Sequence, residues 1–137
     1  MPVIYLAGPL SDGDDPFDWH NSIRQSYPSV EWINPFELNE HGSEEEARAH
    51  IDEVIQKDLE AIKDADAVLV RRISDYNLCG ASIEAREAYV NNIPVVVWNT
   101  AEDEIPIFLE GHADGVYQTR EDAIEAVLRL VRESKSV

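Results

Sequence analysis

The sequence predicts an α/β fold: a flavodoxin-like, doubly wound sheet of five parallel strands in the order 2-1-3-4-5. Three observations predict it. Short apolar runs alternate with amphipathic helical stretches along the whole chain. The runs are unbroken, as in Val3-Ile-Tyr-Leu-Ala7 and Pro94-Val-Val-Val-Trp98, which marks strands buried on both faces. Turn residues separate each run from the helix that follows it, the pattern of repeated βαβ units. In this order the first and third strands are neighbours. The loops after Ala7 and Arg72 then meet at the switch point, where such sheets hold their ligands.

The first strand is Val3–Ala7, stopped by Gly8-Pro9. A polar loop leads to Pro16, which suits the first turn of a helix running to about residue 27. Phe17, Trp19 and Ile23 are its inward residues, and Pro28-Ser29 ends it. Residues 30–33 form a short second strand, closed by Asn34-Pro35. Ser43-Glu-Glu-Glu46 is a capping box, so a long helix starts at Ser43 and continues to Lys63 or Asp64. Its apolar stripe is Ile51, Ile55, Leu59 and Ile62, with Val54 beside it. Asp58 lies on that stripe, and is therefore either partly buried or on the wall of a cleft.

Residues 66–72 form the third strand, 81–91 the third helix and 94–98 the fourth strand. Residues 104–109 suit a short helical turn, and Gly115–Tyr117 a fifth strand. Thr119 caps a last amphipathic helix carrying Ile124, Val127, Leu128 and Val131. With no repeat or linker, the 137 residues read as one domain spanning 1–137.

Asp and Glu number 28 against 11 Lys and Arg, a formal charge of −17. A field this negative repels nucleic acid and anionic membrane, so neither is an expected partner. The lysines are Lys57, Lys63 and Lys135 alone. An acidic, lysine-poor surface over a well-patterned core suits a halophilic protein, where salt screens the repulsion. No apolar run approaches the roughly 20 residues of a membrane span. The first residues carry no basic stretch and lead straight into a strand, so no secretory leader is expected. A single cysteine, Cys79, allows no disulfide within the chain, and a reducing cytoplasmic setting is expected.

The topology gathers Tyr5, the loop that starts at Gly8, Asp58 and Glu84 around one cleft. Two carboxylates and a phenol suit chemistry at a sugar acetal carbon. One carboxylate attacks or stabilises an oxocarbenium ion, and the other handles the leaving group's proton. Each residue also has a plainer reading. Glu84 falls in the expected first turn of its helix, where it complements the helix dipole by about 0.3–1 kcal/mol. The same dipole favours the ionised form that a nucleophile needs. Asp58 can be a buried carboxylate paired with an arginine, and Tyr5 can be core filling.

The other candidates are weaker. Cys79 has no histidine at useful spacing. His20, His41, His50 and His112 lack metal-ligand spacing, so no metal is expected. Asp12, Asp14 and Asp15 form an acid cluster like that of receiver domains, but the third strand ends in Val70-Arg71-Arg72, without an acceptor aspartate. Gly8 and Gly13 make no dinucleotide fingerprint, and no cofactor is expected.

Motifs along the chain resemble those of the nucleoside 2-deoxyribosyltransferases and the related nucleotide N-glycoside hydrolases. Ile4-Tyr-Leu-Ala-Gly-Pro-Leu10 resembles the opening strand and loop, and Trp19 matches an aromatic of the first helix. Asp58-Leu-Glu-Ala-Ile-Lys-Asp-Ala-Asp66-Ala-Val-Leu-Val70 resembles the aspartate helix leading into the third strand. Gly80-Ala-Ser-Ile-Glu84, with Ala88 and Ile93-Pro-Val-Val-Val97, resembles the segment bearing the nucleophile.

The resemblance implies a double displacement on a 2′-deoxynucleoside. Glu84 would attack C1′, Asp58 would help protonate the departing base, and Tyr5 would orient Glu84. A second base, or water, would then take the sugar with retention. Gly8, Pro9, Ser11 and Trp19 are implied substrate contacts, as are Gly80 and Ser82. Leu78 occupies the position where the family usually carries a base-contacting aspartate and the hydrolases often a serine. Asp75 and Asn77 are the candidate substitutes.

Substrate charge divides transferase from hydrolase. Ser11 and the backbone of residues 8–13 offer donors to a 5′-phosphate, and Arg71 and Arg72 would favour one. Asp12, Asp14 and Asp15 oppose it, and the balance leans to a nucleoside. The alternatives are a deoxynucleoside 5′-monophosphate N-glycoside hydrolase and an inactive nucleotide-binding module. A homodimer or larger assembly is also implied, since family members often complete the site from a neighbouring subunit.

Overall fold

A computed structural model of the chain describes residues 1–11, 14–38, 44–74, 76 and 78–135. Its centre is a sheet of β1 (Val3–Ala7), β2 (Glu31–Ile33), β3 (Ala67–Arg72), β4 (Val95–Asn99) and β5 (Gly115–Tyr117). All pairings are parallel and the order is β2-β1-β3-β4-β5, as the alternation of elements predicts.

Parallel strands send alternate residues to opposite faces, and helices cover both. On one face lie α1 (Asp18–Ser26) and α6 (Arg120–Lys135), packing Ile23, Ile124, Val127 and Val131 against Ile4, Leu6 and Leu69. On the other lie α3 (Ile51–Asp64), α4 (Cys79–Val90) and α5 (Ile107–His112), packing Ile62 and Leu109 against Tyr5, Val68 and Val70. Helix α4 meets the sheet through Ala81, Ala85 and Ala88, a helical spacing of small residues that permits close approach. A short helix, α2 (Glu44–Ala49), and a 3₁₀ turn at Pro35–Glu37 stand before α3.

Two aspartates tie strand starts together. The Asp66 backbone N–H donates to the Val3 carbonyl (2.7 Å), and Val3 N–H donates to Asp66 Oδ2 (2.8 Å). Asp114 and Val95 repeat the arrangement at 2.7 and 2.9 Å. Thr119 caps α6 as expected, its Oγ1 accepting from Asp122 N–H at 3.2 Å.

Four expectations shift. The long helix expected from Ser43 is two helices, because His50 leaves helical geometry between α2 and α3. Ser43 itself lies outside the described residues. The upper part of the expected stripe is not core: Ile51 and Ile55 are each 47% exposed, and burial is complete only at Ile62. The short turn expected at 104–109 is α5, which starts at Ile107. Helix α4 starts at Cys79, two residues early, so Glu84 lies beyond its first turn and the argument from the helix dipole falls.

Candidate active site

The chain leaves β1 towards α1 on one face and leaves β3 towards α4 on the other, so the carboxyl ends of β1 and β3 flank the switch point. A cavity of about 380 Å³ opens there, within the range of small-molecule sites. Gly8 and Pro9 line it after β1, and Pro35 and Phe36 after β2. Helix α3 contributes Val54, Ile55, Asp58 and Leu59. Leu78 and the start of α4 add Gly80, Ala81, Ile83 and Glu84.

Tyr5 is fully buried on β1, below the cavity, and its hydroxyl donates to Glu84 Oε2 in a very short hydrogen bond. Burial, then the charges of Glu84 and Asp58, holds the phenol far above its ordinary range. It is a permanent donor. Glu84 is pushed from the ordinary 4.5 up to about 8, chiefly by burial and further by the charge of Asp58, with the Tyr5 bond pulling the other way. Near neutral pH the resting site therefore keeps a proton on Glu84. Asp58, half-buried on α3, lines the same cavity.

Gly8 is required by close approach. A Cβ there would fall 2.9 Å from Arg71 Cβ, 3.0 Å from the Arg71 carbonyl and 3.1 Å from the Trp19 ring. Gly80 has no such neighbour. Trp19 is outside the cavity lining. It packs into the α1–α6 core and donates its indole N–H to the Pro9 carbonyl at 2.8 Å, so it holds the loop from behind. Ser11 is also outside the lining, and its N–H donates to the Pro16 carbonyl at 2.9 Å. Ser82 is exposed, because the turn of α4 aims Gly80, Ile83 and Glu84 at the cavity and leaves Ser82 out of phase. Asp75 and Asn77 lie outside the described residues, as do Asp12 and Gly13.

Neither arginine read as a phosphate partner lines the cavity. Arg72 is 3% exposed and bonds Asn99 Oδ1, Asp103 Oδ2 and the carbonyls of Asp103 and Glu104, tying down the loop after β4. Arg71 emerges on the other face. It stacks over Trp98 at 3.7 Å and donates to Thr100 Oγ1 at 2.8 Å, with burial lowering its pKa to about 10.

The sequence reading missed Pro35, Phe36, Ala47, Ala81 and Ile83 as lining residues; of its stripe on α3, Leu59 packs against the core and also lines the cavity, and Ile55 is exposed at the cavity wall. The available signal was an apolar stripe on α3 longer than the sheet could cover.

No family model matches the sequence, and no curated protein does. Solved structures share the fold. A 2-deoxyribosyltransferase from the psychrotolerant bacterium Bacillus psychrosaccharolyticus matches with a TM-score of 0.69, at 22% identity, over 88% of each chain. A conserved protein from Enterococcus faecalis V583 matches with a TM-score of 0.64, at 20% identity, over 94% of this chain and 98% of that one.

Proposed function

We propose that the chain is an N-glycosyl transferase of the nucleoside 2-deoxyribosyltransferase type. It would move deoxyribose from a 2′-deoxynucleoside to another base through a glutamyl-sugar ester. The observation that carries this reading is the Tyr5–Glu84 hydrogen bond beside Asp58 in one cavity at the switch point. The fold shared with a 2-deoxyribosyltransferase supports it.

In the first step a carboxylate oxygen of Glu84 bonds to C1′ as the N-glycosidic bond breaks. The bonding pair leaves with the base, and Asp58 delivers a proton to it. Tyr5 holds one oxygen of Glu84 and directs the other at the sugar. In the second step a nitrogen of the incoming base attacks C1′ as Asp58 takes the proton from that nitrogen, the ester C–O bond breaks, and Glu84 recovers its negative charge. Two inversions give retention.

One proton on the carboxyl pair serves this scheme, present on Glu84 at rest and on Asp58 when Glu84 attacks. The pair loses that proton as pH rises through about 8. The expected kcat/KM is therefore level between about pH 6 and 8 and falls about tenfold per unit above that. A rate that climbs through 8 instead would remove Asp58 from the proton path.

The described lining carries carboxylates and no cation, which supports a nucleoside over a 5′-monophosphate. A second copy of the chain belongs to the same proposal. Helices α4 and α5 leave Tyr89, Val90, Ile107 and Phe108 between 51% and 79% exposed, apolar surface that a partner would cover.

The test is incubation at high salt with deoxycytidine plus adenine and, separately, with deoxyadenosine monophosphate. Appearance of deoxyadenosine in the first mixture is the expected result. Free adenine from the monophosphate would assign the hydrolase instead, and ligand binding without product would assign the inactive module.

A further inference from the structure

Phe36 stands at the cavity with 41% of its surface exposed. Such a side chain gains only part of its burial energy, yet this one is fixed from several directions. Its backbone N–H donates to Asn34 Oδ1 at 3.1 Å. Glu37, next in the chain, accepts paired bonds from Arg24, and the same guanidinium donates to the Trp32 carbonyl at 3.0 Å. The Phe36 ring lies nearly parallel to Phe17 (6.3 Å, 23°) and edge-on to His20 (6.1 Å, 88°). His20 is fully buried, and neither of its ring nitrogens has a hydrogen-bond partner among the described residues. Burial, with the charge of Arg24, lowers its pKa to about 4, so it braces Phe36 as a neutral ring.

The polar side chains in the described lining are Asp58 and Glu84 alone. Both are committed to the sugar carbon and the leaving proton. The described side chains therefore leave a base edge without a dedicated hydrogen-bonding partner, and Leu78 widens the apolar wall.

We propose that Phe36 is the platform on which the nucleobase stacks. Purines, which offer the larger π-surface, are then preferred to pyrimidines. The inference rests on the proposed N-glycosyl transfer for its substrate, but the platform itself is testable with a free base.

The experiment compares wild type, Phe36→Leu and Phe36→Trp, with folding checked by circular dichroism. Free 2-aminopurine, whose fluorescence is quenched by stacking, is titrated into each, and base exchange is measured in parallel. Wild type and Phe36→Trp quench the probe, and Phe36→Leu does not. With stacking lost, Phe36→Leu raises KM for deoxyadenosine about tenfold and for deoxycytidine less, with kcat changed by less than about twofold. Should the leucine variant not fold, Phe36→Met carries the same comparison.

Equal quenching by wild type and the aliphatic variant, or none by wild type, overturns the platform. If exchange occurs and the aliphatic variant alters neither KM nor quenching, the platform falls and the N-glycosyl reading stands. If wild type shows the expected quenching and no exchange, the platform stands and that reading falls.

Discussion

The two faces of the sheet are built from the same strands and do different work. Ile4 and Leu6 point to the α1–α6 face, where aliphatic side chains from α6 close a buried core. Tyr5 and Ala7, one residue out of step, point to the α3–α4–α5 face. There alanines bring α4 close, the upper turns of α3 stand clear of the sheet, and the gap holds two carboxyls. One face stores stability. The other gives some of it up, because a carboxyl kept at about 8 is less stable charged in the fold than in water.

Replacing Glu84→Gln tests that contrast with the largest effect. Exchange activity is expected to fall at least about a thousandfold, as for loss of a nucleophile. Stability moves the other way, with a definite sign. A carboxyl raised from 4.5 to about 8 contributes fully below the lower value, and its contribution is lost as pH rises through the higher one. Glutamine does not titrate, so the Tm of the variant relative to wild type should rise between pH 4 and pH 9, by scanning calorimetry at about those values. A constant difference would mean that the site does not raise Glu84.

The closed face should behave in the opposite way. Ile124 is fully buried, so Ile124→Ala is expected to cost about 2–5 kcal/mol in denaturant unfolding and leave kcat/KM of the folded fraction unchanged. Tyr5→Phe has a smaller effect and belongs to the open face. It should lower kcat by about ten- to a hundredfold. It also removes the bond that pulls Glu84 down, so the descending limb of the pH profile should move above 8. Smallest is Trp19→Phe, which keeps an aromatic ring and loses the bond to the Pro9 carbonyl. It should cost about 1 kcal/mol of stability and raise KM a few-fold, joining the closed face to the wall of the open one.

The faces were not equally legible in the sequence. Strand order followed from unbroken apolar runs, and Ile124, Val127 and Val131 fell on the inward side of α6 because one period governs the whole helix. On the other face the period misled. Asp58 on the apolar stripe of α3 was a sound sign of a cleft, but Ile55 on that stripe faces the cavity rather than the core. Apolar periodicity reports which side of a helix avoids water, not whether protein or ligand will cover it. The break at His50 had no glycine or proline to announce it. Phe36 was hidden because a 3₁₀ turn has no period long enough to read.

Asp66 reaches further than its place at the foot of the sheet suggests. A strand slipped by one residue turns every side chain to the opposite face. Slippage of β1 past β3 would send Tyr5 into the α1–α6 core and Leu6 under Glu84, erasing the phenol–carboxylate pair with no change in sequence. A one-residue slip would break the two bonds between Asp66 and the Val3 backbone, because the next residue turns its N–H and C=O to the other edge of the strand. A residue at the far end of the strands thus acts as the phase reference for the chemistry at the near end.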